Sequence, residues 1–400
     1  MRQAMKPIMR EKQWTEKYPE LDTGPVTNEP CVSLEYFELE RERIFRSTWV
    51  NMGRGDDIPN SGDFFVRDFT VAKATLLFNR GKDGVVRGCH NVCSHRGNKL
   101  VTKEKGNCPG AVYCSFHAWL YNDEGQLIRV PDEENFFDLD KSKLGLTPVT
   151  TDIWEGFIFV NLDPNPKETL REYLKGVTDN LDGCPFGELS LVQTYKVDER
   201  ANWKVGLDAQ NEIYHLPFQH SRLIGKTFMM NEKNHCRFQE VNLWKRHSVW
   251  ASEFVEDPPL TPLELKLGGF DMGRDNFRIP QLISEFDFYV LFPNMVIILF
   301  RGPAEDGCIT YNFWPIDVDR TIWEIRNYSP SAQTIGQRLM QENFKCLIRD
   351  VLQEDALAHE LLQTGLTSRV KQESLYQDDE IQIRHFHKVL EDHMGYYNNT

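Results

Sequence analysis

Two short ligand pairs, Cys93-Ser94-His95 and Cys114-Ser115-Phe116-His117, stand with 18 residues between them and carry the most specific chemistry in the chain. Each pair offers one thiolate and one imidazole, at C-x-H and C-x-x-H spacings that the tip of a short loop can present. Two cysteines on one iron and two histidines on the other make a mixed-ligand [2Fe–2S] centre. The neutral imidazoles raise its reduction potential above that of an all-cysteine cluster. A structural zinc site uses the same residue types, but its usual order runs Cys-Cys and then His-His. The alternating order here favours the cluster, so Cys93, His95, Cys114 and His117 are its expected ligands.

A second concentration of metal-binding types lies in the segment 202–220. His215 and His220 are five apart, which would not align them on an uninterrupted helix. Pro217 biases Leu216 away from helical geometry, so the chain can break after His215 and return His220 to the same point. Glu212 lies one turn before His215, on the same expected helix face. A carboxylate would complete a 2-His-1-carboxylate triad, which leaves open positions on an iron. Late in the chain, Phe344, Ile348, Val351, Leu352, Ala358 and Leu362 form an apolar stripe at helical spacing. Asp355 falls within that stripe and Glu354 at its edge. A buried carboxylate needs a partner, and metal ligation or a salt bridge would both supply one. Asp355 is the expected third ligand and Glu354 the alternative.

These two sets need different scaffolds. A chain of 400 residues exceeds one ordinary core, so two domains are expected. Residues 33–49 read as an amphipathic helix, followed by short strands at Phe64–Phe69, Ala74–Asn79, Ala111–Tyr113, Gln126–Val130 and Gly156–Leu162. Both ligand pairs fall in this β-rich block, which Asp163-Pro164-Asn165-Pro166 ends, because prolines cannot continue a ladder. Beyond it, helical signals dominate 167–182, 200–216 and 334–363, and strand signals dominate 236–255 and 284–325. That order suggests helices packed on one antiparallel sheet, an α+β architecture.

Hydrophobic content of 40% and aromatic content of 12% belong to a globular chain. The nine cysteines are scattered and odd in number, and the N-terminus has no apolar signal core, so a reduced, cytoplasmic setting is expected. A net charge of −14 argues against nucleic acid as a partner. The segment from Phe286 to Phe300 is interrupted by Asp287, Pro293 and Asn294; it reads as two buried strands joined by a turn, and no membrane partner is expected. Arg96, Lys99, Lys103 and Lys105 lie between the ligand pairs, either as a solvated loop or as a docking patch for an acidic electron donor.

With both constellations in this order, the chain resembles the Rieske non-haem iron oxygenases, specifically the catalytic (alpha) subunit of ring-hydroxylating oxygenases. The likeness runs from Trp49-Val50-Asn51-Met52-Gly53-Arg54 through Cys93–Gly97 and Cys114–Trp119. It continues through Asn202-Trp203-Lys204, Tyr214-His215, His220 and Gln353-Glu354-Asp355. The resemblance implies an all-β Rieske [2Fe–2S] domain over 48–165 and a helix-grip (Bet v1/START-like) catalytic domain with an antiparallel sheet over 166–400. An N-terminal helical segment, 1–47, would pack on the catalytic domain. It also implies a homotrimer, with or without a beta subunit, in which one subunit's cluster feeds the mononuclear iron of its neighbour. Family members usually carry Asp at the position of Glu212, joining a cluster histidine to an iron histidine across that interface. Glutamate there is similar to carnitine monooxygenase and its relatives, which attack quaternary ammonium compounds.

The activity so implied is that of a terminal oxygenase. A reductase or ferredoxin passes electrons from NAD(P)H to the cluster and onward, by way of Glu212, to iron held by His215, His220 and Asp355. There O2 would mono- or cis-dihydroxylate an aromatic or apolar organic substrate. Oxidative C–N cleavage or demethylation of a quaternary ammonium or methylated compound is the alternative. A non-enzymatic alternative is a Rieske electron carrier fused to a ligand-binding module. Leu207, Gln210, Asn211, Phe228, Met229, Ile298 and Phe300 are pocket-lining candidates, with core packing an equal reading. Tyr214, Phe218 and Trp244 could supply an aromatic cage for a quaternary ammonium group.

Overall fold

The structure, a computed structural model, describes residues 13–228, 230, 231, 233–255, 263, 266, 277–302 and 306–395, so Met229 lies outside the described residues. Residues 38–174 form one compact unit, and the segments through Phe37 and from Lys175 form a second.

The boundary falls within α1 (Leu34–Glu40), which continues as a π-type turn over Arg41–Phe45. This is shorter than the helix expected over 33–49. Ser47 Oγ donates to Arg43 O (2.6 Å) and Thr48 Oγ1 to Ile44 O (2.9 Å), so hydroxyls cap the last carbonyls before Trp49.

The smaller unit is then built of short antiparallel ribbons. β1 (Val50–Arg54), β9 (Thr150–Trp154) and β10 (Phe157–Asn161) make a three-stranded sheet in the order β9-β10-β1. β2 (Asp63–Phe69), β3 (Ala74–Arg80), β4 (Val86–His90) and β5 (Lys105–Asn107) make a second in the order β4-β3-β2-β5. β6 (Ala111–Tyr113), β7 (Leu120–Asn122) and β8 (Leu127–Arg129) form a third, in chain order. Leu77, Leu100, Val101, Trp119, Tyr121, Leu127 and Leu146 pack into one core with Cys93 and Cys114. Full burial of an aliphatic side chain stabilises by about 1.5–3 kcal/mol, so this core fixes both ligand loops through their own cysteines.

The larger unit holds a seven-stranded antiparallel sheet. Its strands are β11 (Leu189–Glu199), β12 (Glu240–Leu243), β13 (Ser248–Ser252), β14 (Phe286–Leu291), β15 (Met295–Phe300), β16 (Gly307–Asp317) and β17 (Arg320–Pro330). They lie in the order β11-β17-β16-β15-β14-β13-β12. The apolar segment from Phe286 to Phe300 is the β14–β15 hairpin, with Leu291 opposite Met295. Asn294 in its turn donates its Nδ2 to Phe313 O (2.8 Å), which ties the turn to β16. Trp250, Phe288, Ile298, Ile309 and Asn327 are successive register partners and share one face.

Helices cover that face. α2 (Trp203–Gln210) starts at Asn202, whose Oδ1 accepts from Lys204 N–H (3.0 Å), and α3 (Leu216–Gln219) follows one turn later. α4 (Ile335–Thr367) is the longest element. Its Lys345 O accepts from Tyr195 Oη (2.8 Å), Phe344 stacks on Phe300 (4.9 Å), and His359 meets Trp323 (5.4 Å). α5 (Ile381–Met394) sets Phe386 edge-on to Trp203 at 5.7 Å. The N-terminal segment joins this unit through Val26↔Ser374 pairing and the Trp14 Nε1 bond to Asp379 Oδ1 (2.9 Å). A long helix across an antiparallel sheet is the helix-grip, α+β arrangement expected. Among the described residues, no helix is long and apolar enough to cross a membrane.

Candidate metal centres

The two cysteine loops are backbone copies of each other. Cys93 N donates to Asn98 O (2.9 Å) and its carbonyl accepts from Gly97 N (3.0 Å). Likewise Cys114 N donates to Trp119 O and its carbonyl accepts from Ala118 N, both at 2.9 Å. The fourth residue after each cysteine is left-handed, with φ +75° at Gly97 and +57° at Ala118. Glycine adopts this conformation freely, whereas alanine pays a steric cost that the closed loop imposes.

The loops bury their thiols and leave their imidazoles half-buried. Cys93 and Cys114 are 2% and 1% exposed, and both are free thiols. His95 Nδ1 and His117 Nδ1 face each other at 3.1 Å. Two nitrogens each ~2.1 Å from one tetrahedral ion would stand ~3.4 Å apart, so the pair fits a shared metal. The Cys114 sulfur is also biased toward its thiolate. Burial alone would raise the Cys114 pKa, but N–H donors from Phe116 and His117 outweigh it and hold the thiol below its ordinary range. Asn98 Nδ2 adds a donor to Cys114 Sγ at 3.5 Å, and Tyr121 Oη lies 3.3 Å from Cys93 Sγ. Tyr121 also accepts from Ser94 N–H (3.0 Å), and burial with the Cys93 contact pushes its phenol up to about 12. Sequence reasoning missed Asn98 and Tyr121; they lie five residues after Cys93 and seven after Cys114, a spacing that has no meaning until the loops close.

Around the basic residues between the loops, Lys99 pairs with Asp68 (2.7 Å), and the Arg96 guanidinium sits over the Phe116 ring at 5.5 Å. Lys103 and Lys105 are exposed.

In the larger unit, His215, His220 and Asp355 form a group whose candidate ligand atoms all lie within 4.8 Å of one another. The chain break that permits this falls earlier than expected. α2 ends at Gln210, and Glu212 is not on a helix. Its Oε2 accepts from the N–H groups of Tyr214 and His215, which turns the chain. Pro217 then sits in the first turn of α3, where a missing N–H costs nothing. The His215 and His220 rings end edge-to-face with centroids 5.1 Å apart.

α4 supplies the acid. Asp355 Oδ1 lies 2.8 Å from His220 Nε2 and 3.9 Å from His215 Nε2, and accepts from Gln219 Nε2 at 2.6 Å. The other nitrogen of each ring meets a different carboxylate. Glu212 Oε1 holds His215 Nδ1, and Glu354 Oε2 lies 2.7 Å from His220 Nδ1. His220 and Asp355 are 1% and 3% exposed. Burial alone would lower both histidine pKa values, but the facing carboxylates outweigh it and raise them. Burial would raise Asp355, yet His220 and His215 hold it below the ordinary carboxylate range. Two inward Nε2 atoms and one carboxylate form a donor set that suits an iron with open positions. Tyr311 stands close by; burial, then the Asp355 charge, raises its pKa.

Of the pocket candidates, Leu207, Gln210, Asn211, Phe228 and Ile298 are buried and Phe300 is half-buried. Tyr214 and Phe218 are exposed and meet each other at 5.9 Å, whereas Trp244 stacks parallel to Tyr289 at 6.5 Å.

The family model described as Rieske [2Fe-2S] domain matches residues 48–149, and the one described as ring hydroxylating alpha subunit (catalytic domain) matches 186–396. The carnitine monooxygenase oxygenase subunit of Acinetobacter baumannii is 30% identical over 343 residues, 84% of this chain and 84% of that one. The same subunit from Escherichia coli is 32% identical over 181 residues, 45% of this chain; the match spans about half of that relative's length, 47%. A solved structure of naphthalene 1,2-dioxygenase from Rhodococcus sp., bound to indole, shares the fold with a TM-score of 0.76. It is 21% identical and covers 96% of this chain and 98% of that one. The chain therefore belongs to the ring-hydroxylating alpha-subunit family of Rieske oxygenases, with a [2Fe–2S] domain followed by a non-haem iron catalytic domain.

Proposed function

We propose that this chain is the terminal oxygenase of an NAD(P)H-dependent system that hydroxylates an aromatic or apolar organic substrate. The observation that carries the proposal is the convergence of His215, His220 and Asp355, each ring nitrogen turned away from that point being held by a carboxylate. A pure electron carrier would leave this buried set without a purpose. The sheet face toward α4 supports the substrate class: Trp250, Phe288, Ile298, Ile309 and Tyr311 are aromatic or aliphatic.

When bound, the cluster delivers single electrons and the mononuclear iron activates O2. The protein's own groups position these events. Cys93 and Cys114 would hold the cluster from the buried side of the loops, and the half-buried His95 and His117 would supply its other two ligands. Glu212 fixes the His215 tautomer, and in a homotrimer, with or without a beta subunit, its carboxylate would face a neighbour's cluster histidine. A reductase or ferredoxin would dock near the loop carrying Arg96, Lys103 and Lys105. We place the enzyme in the cytoplasm, where its thiols stay reduced.

Oxidation of a quaternary ammonium or methylated compound is the second reading, favoured by Glu212 and by the relatives named carnitine monooxygenase. Iron analysis, oxygen uptake and product mass with a surrogate reductase test both readings. Three irons per chain and hydroxylated naphthalene or indole support the first. Turnover of carnitine with neither aromatic oxidised supports the second, and two irons per chain would refute an oxygenase.

A further inference from the structure

Asp355 and Glu354 are consecutive residues of α4, and they meet opposite nitrogens of one imidazole. Asp355 Oδ1 lies 2.8 Å from His220 Nε2, while Glu354 Oε2 lies 2.7 Å from His220 Nδ1. Neighbouring residues on a helix diverge by ~100°, so two such carboxylates can straddle a ring only if it enters edgewise between them. The His220 ring is thus aligned by α4 itself, although it comes from a different segment of the chain.

We propose that Glu354 is a positioning residue for the mononuclear centre. It accepts the Nδ1–H of His220, selects the tautomer with a free Nε2 lone pair, and holds that lone pair on the side of His215 and Asp355. This rests on the reading of His215, His220 and Asp355 as the three ligands. Once Nε2 serves as a ligand, the ring's one proton must sit on Nδ1, where Glu354 Oε2, at 2.7 Å, is placed to accept it. The Glu354 side chain is 35% exposed, whereas Asp355 beside it is 5% exposed and depends on its partners for charge compensation. The same geometry removes Glu354 from the ligand set, since it lies at the nitrogen pointing away from the other two donors. Glu212 plays the matching part for His215, and Gln219 steadies Asp355 through a 2.6 Å bond. Each proposed ligand therefore has one polar neighbour that sets its direction. Carboxylate partners of this kind change metal affinity by about 10–100-fold.

The test uses the full chain with its cluster in place and its mononuclear site emptied, titrated with Co(II) against a competing chelator. Affinity is read from the cobalt visible bands. Glu354→Gln keeps an acceptor without the charge and should bind Co(II) about 10-fold more weakly, and Glu354→Ala about 100-fold more weakly with shifted bands. Both should retain the parent's cluster spectrum. Parent-like Co(II) affinity in Glu354→Ala, with only a lower melting temperature, would overturn the proposal, because a merely structural bond moves stability alone. Asp355→Ala separates the two levels: it should bind no Co(II), and undiminished binding there would refute the three-ligand reading itself.

Discussion

The two centres solve opposite assembly problems. His95 and His117 are 22 positions apart, on two loops of identical closure that grow from one small β core. His220 and Asp355 are 135 positions apart, and nothing local brings them together. Their meeting depends on α3 being turned by Glu212 and on α4 lying in a fixed register across a seven-stranded sheet. A locally closed site can be assembled by a loop's own hydrogen bonds. A site gathered from distant elements needs rigid elements and additional groups, such as Glu212, Gln219 and Glu354, to aim each donor.

If the centres are built independently, damage to one should leave the other standing. The largest expected effect is from Cys114→Ser, which should abolish the cluster's visible absorption and remove two irons per chain. Circular dichroism and the third iron should persist. Loss of all three irons would break the comparison, because the catalytic unit would then depend on the cluster for its own assembly. The converse variant, Asp355→Ala, should abolish product formation and remove only the mononuclear iron, with the cluster spectrum unchanged. Product formed at the parent rate would take Asp355 out of the site.

The same contrast explains what could be read in the sequence. The paired Cys93/His95 and Cys114/His117 loops were legible because their meaning lies in spacing over a few residues, and the β14–β15 hairpin because Pro293 and Asn294 interrupt a continuous apolar run. Periodicity carries the helix over 33–49 too far, since it does not register the Ser47 and Thr48 hydroxyls that take the last carbonyls. Pro217 predicts a break after His215, but the break falls before it. It belongs to Glu212, a carboxylate that replaces helical bonding with bonds to Tyr214 and His215 N–H groups. Spacing offered Asp355 and Glu354 as alternatives one residue apart, and only the packing of α4 decides which nitrogen each one meets.

A smaller effect would sharpen the account of Glu212. Glu212→Gln preserves shape but removes the charge that fixes the His215 tautomer. Stopped-flow reoxidation of the reduced cluster by O2, with a turned-over substrate present, should slow by about 10–100-fold. Cluster content should match the parent. An unchanged rate would mean that the carboxylate orients the loop through Tyr214 and has no part in coupling the centres.

The smallest effect concerns the element on which the distant site depends. α4 begins with a reciprocal cap: Thr334 Oγ1 accepts from Gln337 N–H (3.1 Å), and Gln337 Oε1 accepts from Thr334 N–H (3.0 Å). Asp355 lies 20 residues beyond Ile335, about 30 Å along the helix at 1.5 Å per residue. Thr334→Ala should therefore lower the stability of the larger unit by about 1 kcal/mol while leaving Co(II) affinity at the mononuclear site unchanged. The reason is that Lys345, Phe344 and His359 hold α4 to the sheet on both sides of Asp355, downstream of the cap. A chemical-denaturation midpoint together with a cobalt titration checks both halves. A drop in metal affinity in step with stability would show that α4 transmits fraying over its whole length, and that the catalytic donors are held less rigidly than the loops of the cluster.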